Sequence, residues 1–426
     1  MNTANKTALV IAFVVVVVLF LLFGGGAMTG TARSGGMMGS GMMGGTSWMW
    51  IPALLTLGIG IVVGLAIFSI VTLGAATRNL VPGQPNYYVD RQTIYLVVGG
   101  LLMLALSRID YARLRPFRNA TYALLILSIL AVLGLGHTAR GSQRAINLPF
   151  FSFQASELGK VLLIVALSAL IVDRARRLRE RDTTLLVMLA ALVPALFVIA
   201  QPDLGSGMVY VVVALTLLFV AGTSWKHLTA LVALGVVSLT FVLVAAPAAG
   251  IHVLKPYQVQ RLTSFLHPTT NSEKEGYQQE ESKIAIGSGQ KTGRGTNATQ
   301  TRLNYVPEDH TDFVFAAVGE QYGFVGAALL LSLYALLIWR ALRILVMSKD
   351  LFGSLVAAGV AAMLMFQVFV NVGMTIGIMP ITGVTLPLMS YGGSSVITTL
   401  LAVGLLQSIY IQARASQALK GRVLRY

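Results

Sequence analysis

Long apolar runs alternate with short, mostly basic connectors along this chain. The runs fall at 52–74, 92–107, 120–136, 154–172, 185–200, 206–222, 228–249, 313–339, 354–377 and 386–411. Their lengths suit the roughly 20 residues a helix needs to cross a bilayer's hydrocarbon core. A membrane barrel would show short segments of alternating polarity instead. The pattern predicts an all-α polytopic membrane protein with a ten-span core. A further Val-rich run, Thr7 to Phe23, predicts an extra N-terminal apolar helix, and Gly24 to Ser47 follows as a Gly/Met-rich linker. The chain thus divides into the N-terminal helix and linker (1–48), a membrane domain (49–415) and a basic tail (416–426).

The connectors orient the spans. Arg108, Arg113, Arg115 and Arg118 occupy one, and Arg174, Arg176, Arg177, Arg179 and Arg181 another. Lys226, then Arg340, Arg343 and Lys349, then Arg414, Lys420, Arg422 and Arg425 follow. All lie on one side if the first core span runs outward, and that side is the cytoplasm. The loops at 75–91, 137–153, 201–205, 250–312 and 378–385 are then extracytoplasmic. An extra N-terminal span preserves this order, whereas a cleaved signal peptide would spoil it. The net charge of +15 is spread over these connectors rather than gathered in a patch, which argues against nucleic acid as a partner. With no cysteine, disulfides and thiol chemistry are excluded. There is no phosphate-binding Gly-rich loop and no 20–50-residue repeat. Met37, Met38, Met42 and Met43 have the softness for Cu(I), but their low-complexity setting reads as a flexible linker.

One long polar stretch interrupts the pattern. His252 to Asp312 carries seven of the sixteen acidic residues and turns apolar again at Phe313. A carboxylate at a membrane boundary is costly and is functional by default. Asp312 would favour a helix start by about 0.3–1 kcal/mol, yet Glu308, Asp309, His310 and Asp312 together exceed what a cap needs. Ser282 to Ser288 reads as a short amphipathic helix with a glycine cap at Gly289, lying on the membrane surface.

Three more clusters fall near the same face. Arg140 and Arg144 precede Gln154, Glu157 and Lys160; the last two share a helix face and form an ion pair, or Lys160 joins the two arginines in holding an anionic group. Asp203 stands in Gln201-Pro202-Asp203-Leu204-Gly205, as a helix cap or as a substrate or metal contact. Met379 to Ser395 holds prolines and glycines at membrane depth, which predicts broken helix lining a cavity or a packing kink.

The Ser282–Gly289 run, the Pro307-Glu308-x-His310-Thr311-Asp312-Phe313 core and Pro387 to Ser395 resemble the SEDS family (shape, elongation, division and sporulation). So do Gln143-Arg144, Gln154-x-Ser156-Glu157-x-x-Lys160 and the Gln201–Gly205 motif. The likeness spans about residues 50–415, and Asn371 to Pro380 is similar to the RodA branch rather than the FtsW branch. Departures are Ala145 for a tryptophan, Ala155 for a proline, Glu281 for a glutamine and His267 for an aspartate. The resemblance implies a peptidoglycan glycosyltransferase that polymerises lipid II beside a class B penicillin-binding protein. It matches the family's essential aspartate to Asp312.

The expected reaction is direct displacement. Asp312, as general base, deprotonates the acceptor's 4-hydroxyl while undecaprenyl pyrophosphate departs from the donor. Substrate contacts are expected from Arg140, Arg144, Gln154, Glu157, Lys160, Asp203, Lys283, Glu308, His310, Ser390 and Tyr391, with a divalent cation as an option. The rival expectations are a lipid II flippase and a scaffold without chemistry. Placement of the polar groups at one face, with no ionisable ladder to the other, favours surface chemistry over transit.

Overall fold

A computed structural model describes residues 50–78, 80–135, 137–139, 142–147, 152–242, 275–301, 303, 305–306, 308 and 310–423. The predicted N-terminal helix and linker, the first part of the large loop, Arg140 and Asp309 lie outside these residues. The described chain is a helical bundle. Its helices are α1 (Trp50–Ala76), α2 (Tyr87–Arg108), α3 (Arg118–Leu135), α4 (Ala155–Asp173), α5 (Arg181–Ala200), α6 (Leu204–Val220), α7 (Trp225–Thr240), α8 (Glu275–Ser288), α9 (Val314–Met347), α10 (Leu351–Thr375) and α11 (Gly393–Val423). A 3₁₀ turn, Tyr111–Phe117, leads into α3. Among the described residues eight helices are long and apolar enough to cross a membrane, and α6 and α7 supply two shorter apolar segments. Each of the ten predicted runs overlaps one of these helices, although the run at 386–411 becomes helical only from Gly393 and the run at 228–249 is described only to residue 242. Ile94, Val97 and Leu101 recur along one face of α2 and stay exposed, as side chains do that meet lipid rather than protein.

Close packing rests on small residues. A Cβ at Gly99 of α2 would lie 2.6 Å from the Leu400 side chain of α11, and one at Gly404 would lie 2.8 Å from the Met103 carbonyl. Glycine at these points lets the two helices approach at short range.

The structure corrects several expectations. The loop predicted at 137–153 contains an antiparallel sheet of β1 (His137–Ala139), β2 (Ser142–Asn147) and β3 (Ser152–Phe153), in the order β1-β2-β3. Arg91, assigned to a loop, lies in the first turns of α2. Arg340, counted with the connector charges, is instead buried within α9, beside the Tyr410 ring at 5.4 Å. Helix α8 does not lie free on the membrane surface. Gln279, Ser282 and Ala285 form a buried face against α9 and α10, and Ser282 Oγ donates to the Thr375 carbonyl at 2.8 Å.

Gly289 does not take the left-handed cap conformation. Its role is close approach, since a Cβ there would sit 1.9 Å from the Gly319 carbonyl oxygen. The turn after α8 also breaks α9. At Gly323 φ is +63°, and the freed amides of Phe324 and Val325 donate to the carbonyls of Gln290 and Lys291 at 2.9 and 3.1 Å. Both of these amides thus find an acceptor, as backbone freed at membrane depth must.

The predicted broken segment is irregular from Ile376 to Gly392. Left-handed backbone at Gly377, Gly383 and Leu388 turns it between α10 and α11. Its carbonyls are met by side chains from several helices. Ser69 of α1 donates to Met389 at 3.1 Å, Gln92 of α2 to Ser390 at 3.3 Å, and Tyr334 of α9 to Pro387 at 2.5 Å. From Ile381 to Ser390 the segment is largely buried in protein, the condition under which such backbone survives in a membrane.

Candidate active site

The ends of α2, α4 and α11, the turn before α9 and the α10–α11 segment enclose a cavity of about 500 Å³. Its walls include Arg91, Gln154, Glu157, Asp312, Thr385 and Tyr391. Residues far apart in sequence therefore meet at one end of the bundle.

Asp312 stands in the turn that precedes α9, whose N-cap position is Phe313 rather than the aspartate. Three successive carbonyls of this turn are each tied to the α10–α11 region. Tyr391 N donates to His310 O at 2.8 Å, Ser390 Oγ to Thr311 O at 2.6 Å, and Asn371 Nδ2 to Asp312 O at 2.8 Å. Glu308 closes the turn from within. Its carbonyl accepts from Thr311 N and Phe313 N, and its Oε2 accepts from Thr311 Oγ1 at 2.8 Å. A side chain on so constrained a backbone is held in place before any ligand arrives.

The other expected residues divide into wall and support. Glu157 lines the cavity while pairing at 2.7 Å with Lys160, and both side chains are almost fully buried. The ion-pair reading is thus what the structure contains, and Lys160 bears on the cavity through Glu157. Asp203 is a support. It caps α6 by accepting from Ser206 N, and its Oδ2 accepts from Ser156 Oγ at 2.8 Å and Gln154 Nε2 at 3.1 Å. Ser390 serves the turn, accepting from Leu386 N while bonding Thr311. His310 packs its ring 4.9 Å from Tyr88. Lys283 pairs with Glu280 on α8 and covers Gly377, away from the cavity walls. Arg144 is described only as a backbone position of β2, and Arg140 not at all.

The described cation in the wall is one the sequence reading passed over. Arg91 lies 4.5 Å above the Tyr87 ring, in the first turns of a helix whose start was placed too late. The signal available was the aromatic pair Tyr87-Tyr88 leading straight into Arg91. Burial, then the neighbouring Tyr95 phenol, pushes the Tyr391 pKa above the usual tyrosine range. Tyr391 thus stays a neutral hydrogen-bond donor.

Among the described residues no three His, Cys, Asp or Glu side chains gather as metal ligands. Of the cavity carboxylates, Glu157 is already neutralised by Lys160.

The family described as "Cell cycle protein" (FTSW_RODA_SPOVE) matches residues 46–415. The chain belongs to this family. It is 36% identical over 371 residues to a probable peptidoglycan glycosyltransferase FtsW of Thioalkalivibrio sulfidiphilus, covering 84% of this chain and 89% of that one. It is 34% identical over 353 residues to the peptidoglycan glycosyltransferase MrdB of Escherichia coli K12, covering 82% and 91%. A solved structure described as "Structural coordination of polymerization and crosslinking by a peptidoglycan synthase complex" matches with a TM-score of 0.68 at 31% identity, covering 84% of this chain and 97% of that one. The SEDS resemblance and the helical polytopic fold are therefore shown. The RodA-like branch is not singled out, since FtsW and MrdB relatives are about equally similar.

Proposed function

We propose that this chain is a peptidoglycan glycosyltransferase of the bacterial inner membrane that polymerises lipid II at its extracytoplasmic face. The observation that carries the reading is Asp312, fixed by its backbone in the wall of an open cavity beside Arg91, Gln154 and Tyr391. Asp312 takes the proton from the acceptor sugar's 4-hydroxyl as that oxygen bonds to the donor's anomeric carbon. The bond from that carbon to the pyrophosphate breaks, and undecaprenyl pyrophosphate leaves with the electron pair. One displacement inverts the α-linked donor to a β-1,4 product. The leaving group is a weak base and needs no proton, only positive charge, which Arg91 supplies at the wall. Glu157, locked to Lys160, and the neutral Tyr391 phenol orient the sugars by hydrogen bonding.

The partner in this reading is a class B penicillin-binding protein that crosslinks the new strands. The likeness to a complex coordinating polymerization and crosslinking supports it. A role in cell elongation rests on the similarity of Asn371 to Pro380 to the RodA branch. Complementation of elongation-defective against division-defective cells separates it from a septal role.

Flipping and scaffolding predict other outcomes in one assay. Purified full-length protein, with and without its partner, is given fluorescent lipid II. Glycan polymer that vanishes with Asp312→Asn is expected. Lipid II crossing a bilayer without polymer, or polymer unchanged by Asp312→Asn, overturns the assignment.

A further inference from the structure

A second cavity opens at the opposite end of the bundle. Its volume is about 480 Å³, and Arg115, Arg118, Asn119, Asp173 and Asp350 are among its walls. Glu157 and Asp173 mark the two ends of α4, about 24 Å apart at 1.5 Å per residue. This cavity is therefore far from the proposed active site, at the face that the basic connectors assign to the cytoplasm.

An apolar groove of about 340 Å³ adjoins it along α3, α4 and α5, bounded by Tyr122, Leu167, Leu170, Leu186, Leu189 and Val193. The two spaces share Arg118 and Asn119. A charged mouth at the helix ends thus continues into a slot along membrane-spanning helices.

The electrostatics of the mouth are specific. Asp173 holds both guanidiniums, at 3.0 Å from Arg115 and 2.5 Å from Arg118. Arg118 Nε is also held by Asn119 Oδ1 at 3.1 Å. Each guanidinium has five donors, so these bonds orient the arginines without exhausting them. Asp350 is engaged elsewhere, accepting from Tyr111 OH at 3.0 Å and Gly353 N at 2.8 Å. The connector leaving Asp173 adds five arginines against Glu180 and Asp182. A planar guanidinium is well matched to phosphate oxygens.

We propose that these joined cavities bind an anionic phospholipid of the cytoplasmic leaflet. Its phosphate lies against Arg115 and Arg118, and one acyl chain fills the α3–α4–α5 groove. Anionic lipids are concentrated in that leaflet, and basic pockets between membrane helices are where their headgroups settle. The site is independent of the glycosyltransferase reading.

Native mass spectrometry of the full-length protein tests this, after incubation with phosphatidylglycerol or phosphatidylcholine of identical acyl chains. The wild type should retain phosphatidylglycerol preferentially. Replacing Arg115 and Arg118 together by alanine should weaken that retention, about fivefold for each arginine. Leu189→Trp, which fills the groove and leaves both arginines, should lower retention of either lipid. Thermal melting reports folding of each variant, and the milder Arg118→Gln serves if the double variant does not fold. Equal retention of the two lipids by the wild type, or undiminished phosphatidylglycerol binding in the arginine variants, overturns the proposal. So does undiminished binding in Leu189→Trp, which would leave only a headgroup-sized anion site.

Discussion

Asp312 and Glu320 stand eight residues apart on one segment, and the fold handles them in opposite ways. Glu320 is fully buried, and its carboxylate does the holding. Oε1 accepts from the amides of Thr299 and Gln300 at 2.7 and 2.9 Å, and Oε2 from the amide and hydroxyl of Thr301 at 2.9 and 2.8 Å. Asp312 is only partly buried, and the bond from Asn371 reaches its carbonyl. One acid organises a turn through its side chain. The other has its main chain organised by the turn, with its side chain at a cavity. An acid in an apolar run is costly in both cases, and only the partner atoms distinguish structure from chemistry.

The comparison is broken most directly at Asp312. Asp312→Asn should lower lipid II polymerisation by about 10²–10⁴-fold, the usual worth of a general base, while the melting temperature stays near that of the wild type. Glu320→Gln should do the reverse. The neutral amide keeps one acceptor oxygen and turns an NH₂ toward donors. The cost is about 3 kcal/mol or more, read as a large drop in melting temperature. Activity should be lost only in proportion to folded protein. A Glu320→Gln protein that melts normally but cannot polymerise would erase the distinction.

A smaller effect tests how the turn positions Asp312. Asn371 Nδ2 donates to both Asp312 O and Val384 O. Asn371→Leu leaves two carbonyls without that donor and loosens the turn without removing the base. Turnover should fall about tenfold with KM little changed, since displacement of a positioned group is felt mainly in the transition state. A rise in KM at constant turnover would instead make Asn371 a binding residue.

These pairs also show what could be read from the chain alone. Membrane spans were legible because they depend on length and composition, which local sequence carries. The broken Met379–Ser395 region was legible too, because proline and glycine act locally. Glu320 passed unnoticed inside an apolar run, as its four donors come from a turn some twenty residues upstream. Arg91 was misplaced by a helix start that lacks a side-chain cap at Asn86. Asp203 was left between cap and contact, and only the spatial neighbours Ser156 and Gln154 make it a support. Asp312 itself was separated from Glu308 and Asp309 by resemblance. The structure adds that Glu308 bonds back into the turn while Asp312 lines the cavity.

The finest test separates the backbone of Tyr391 from its phenol. The amide bond to His310 O helps fix the turn, and Phe would keep it. Tyr391→Phe should therefore preserve the placement of Asp312 and lose the phenol's contacts, to Arg91 and Tyr95 as well as to substrate. The expected change is a rise in KM of a few fold, corresponding to about 1 kcal/mol, with turnover nearly intact. The pH profile gives a second reading. An ordinary tyrosine is half ionised near pH 10. Burial and Tyr95 raise the Tyr391 pKa beyond that, so the phenol still carries its proton at that pH. Wild-type and Phe enzymes should then show parallel profiles up to about pH 10. If the wild type alone lost activity between pH 9 and 10, Tyr391 would be titrating there, and its place as a neutral donor in the cavity wall would have to be abandoned.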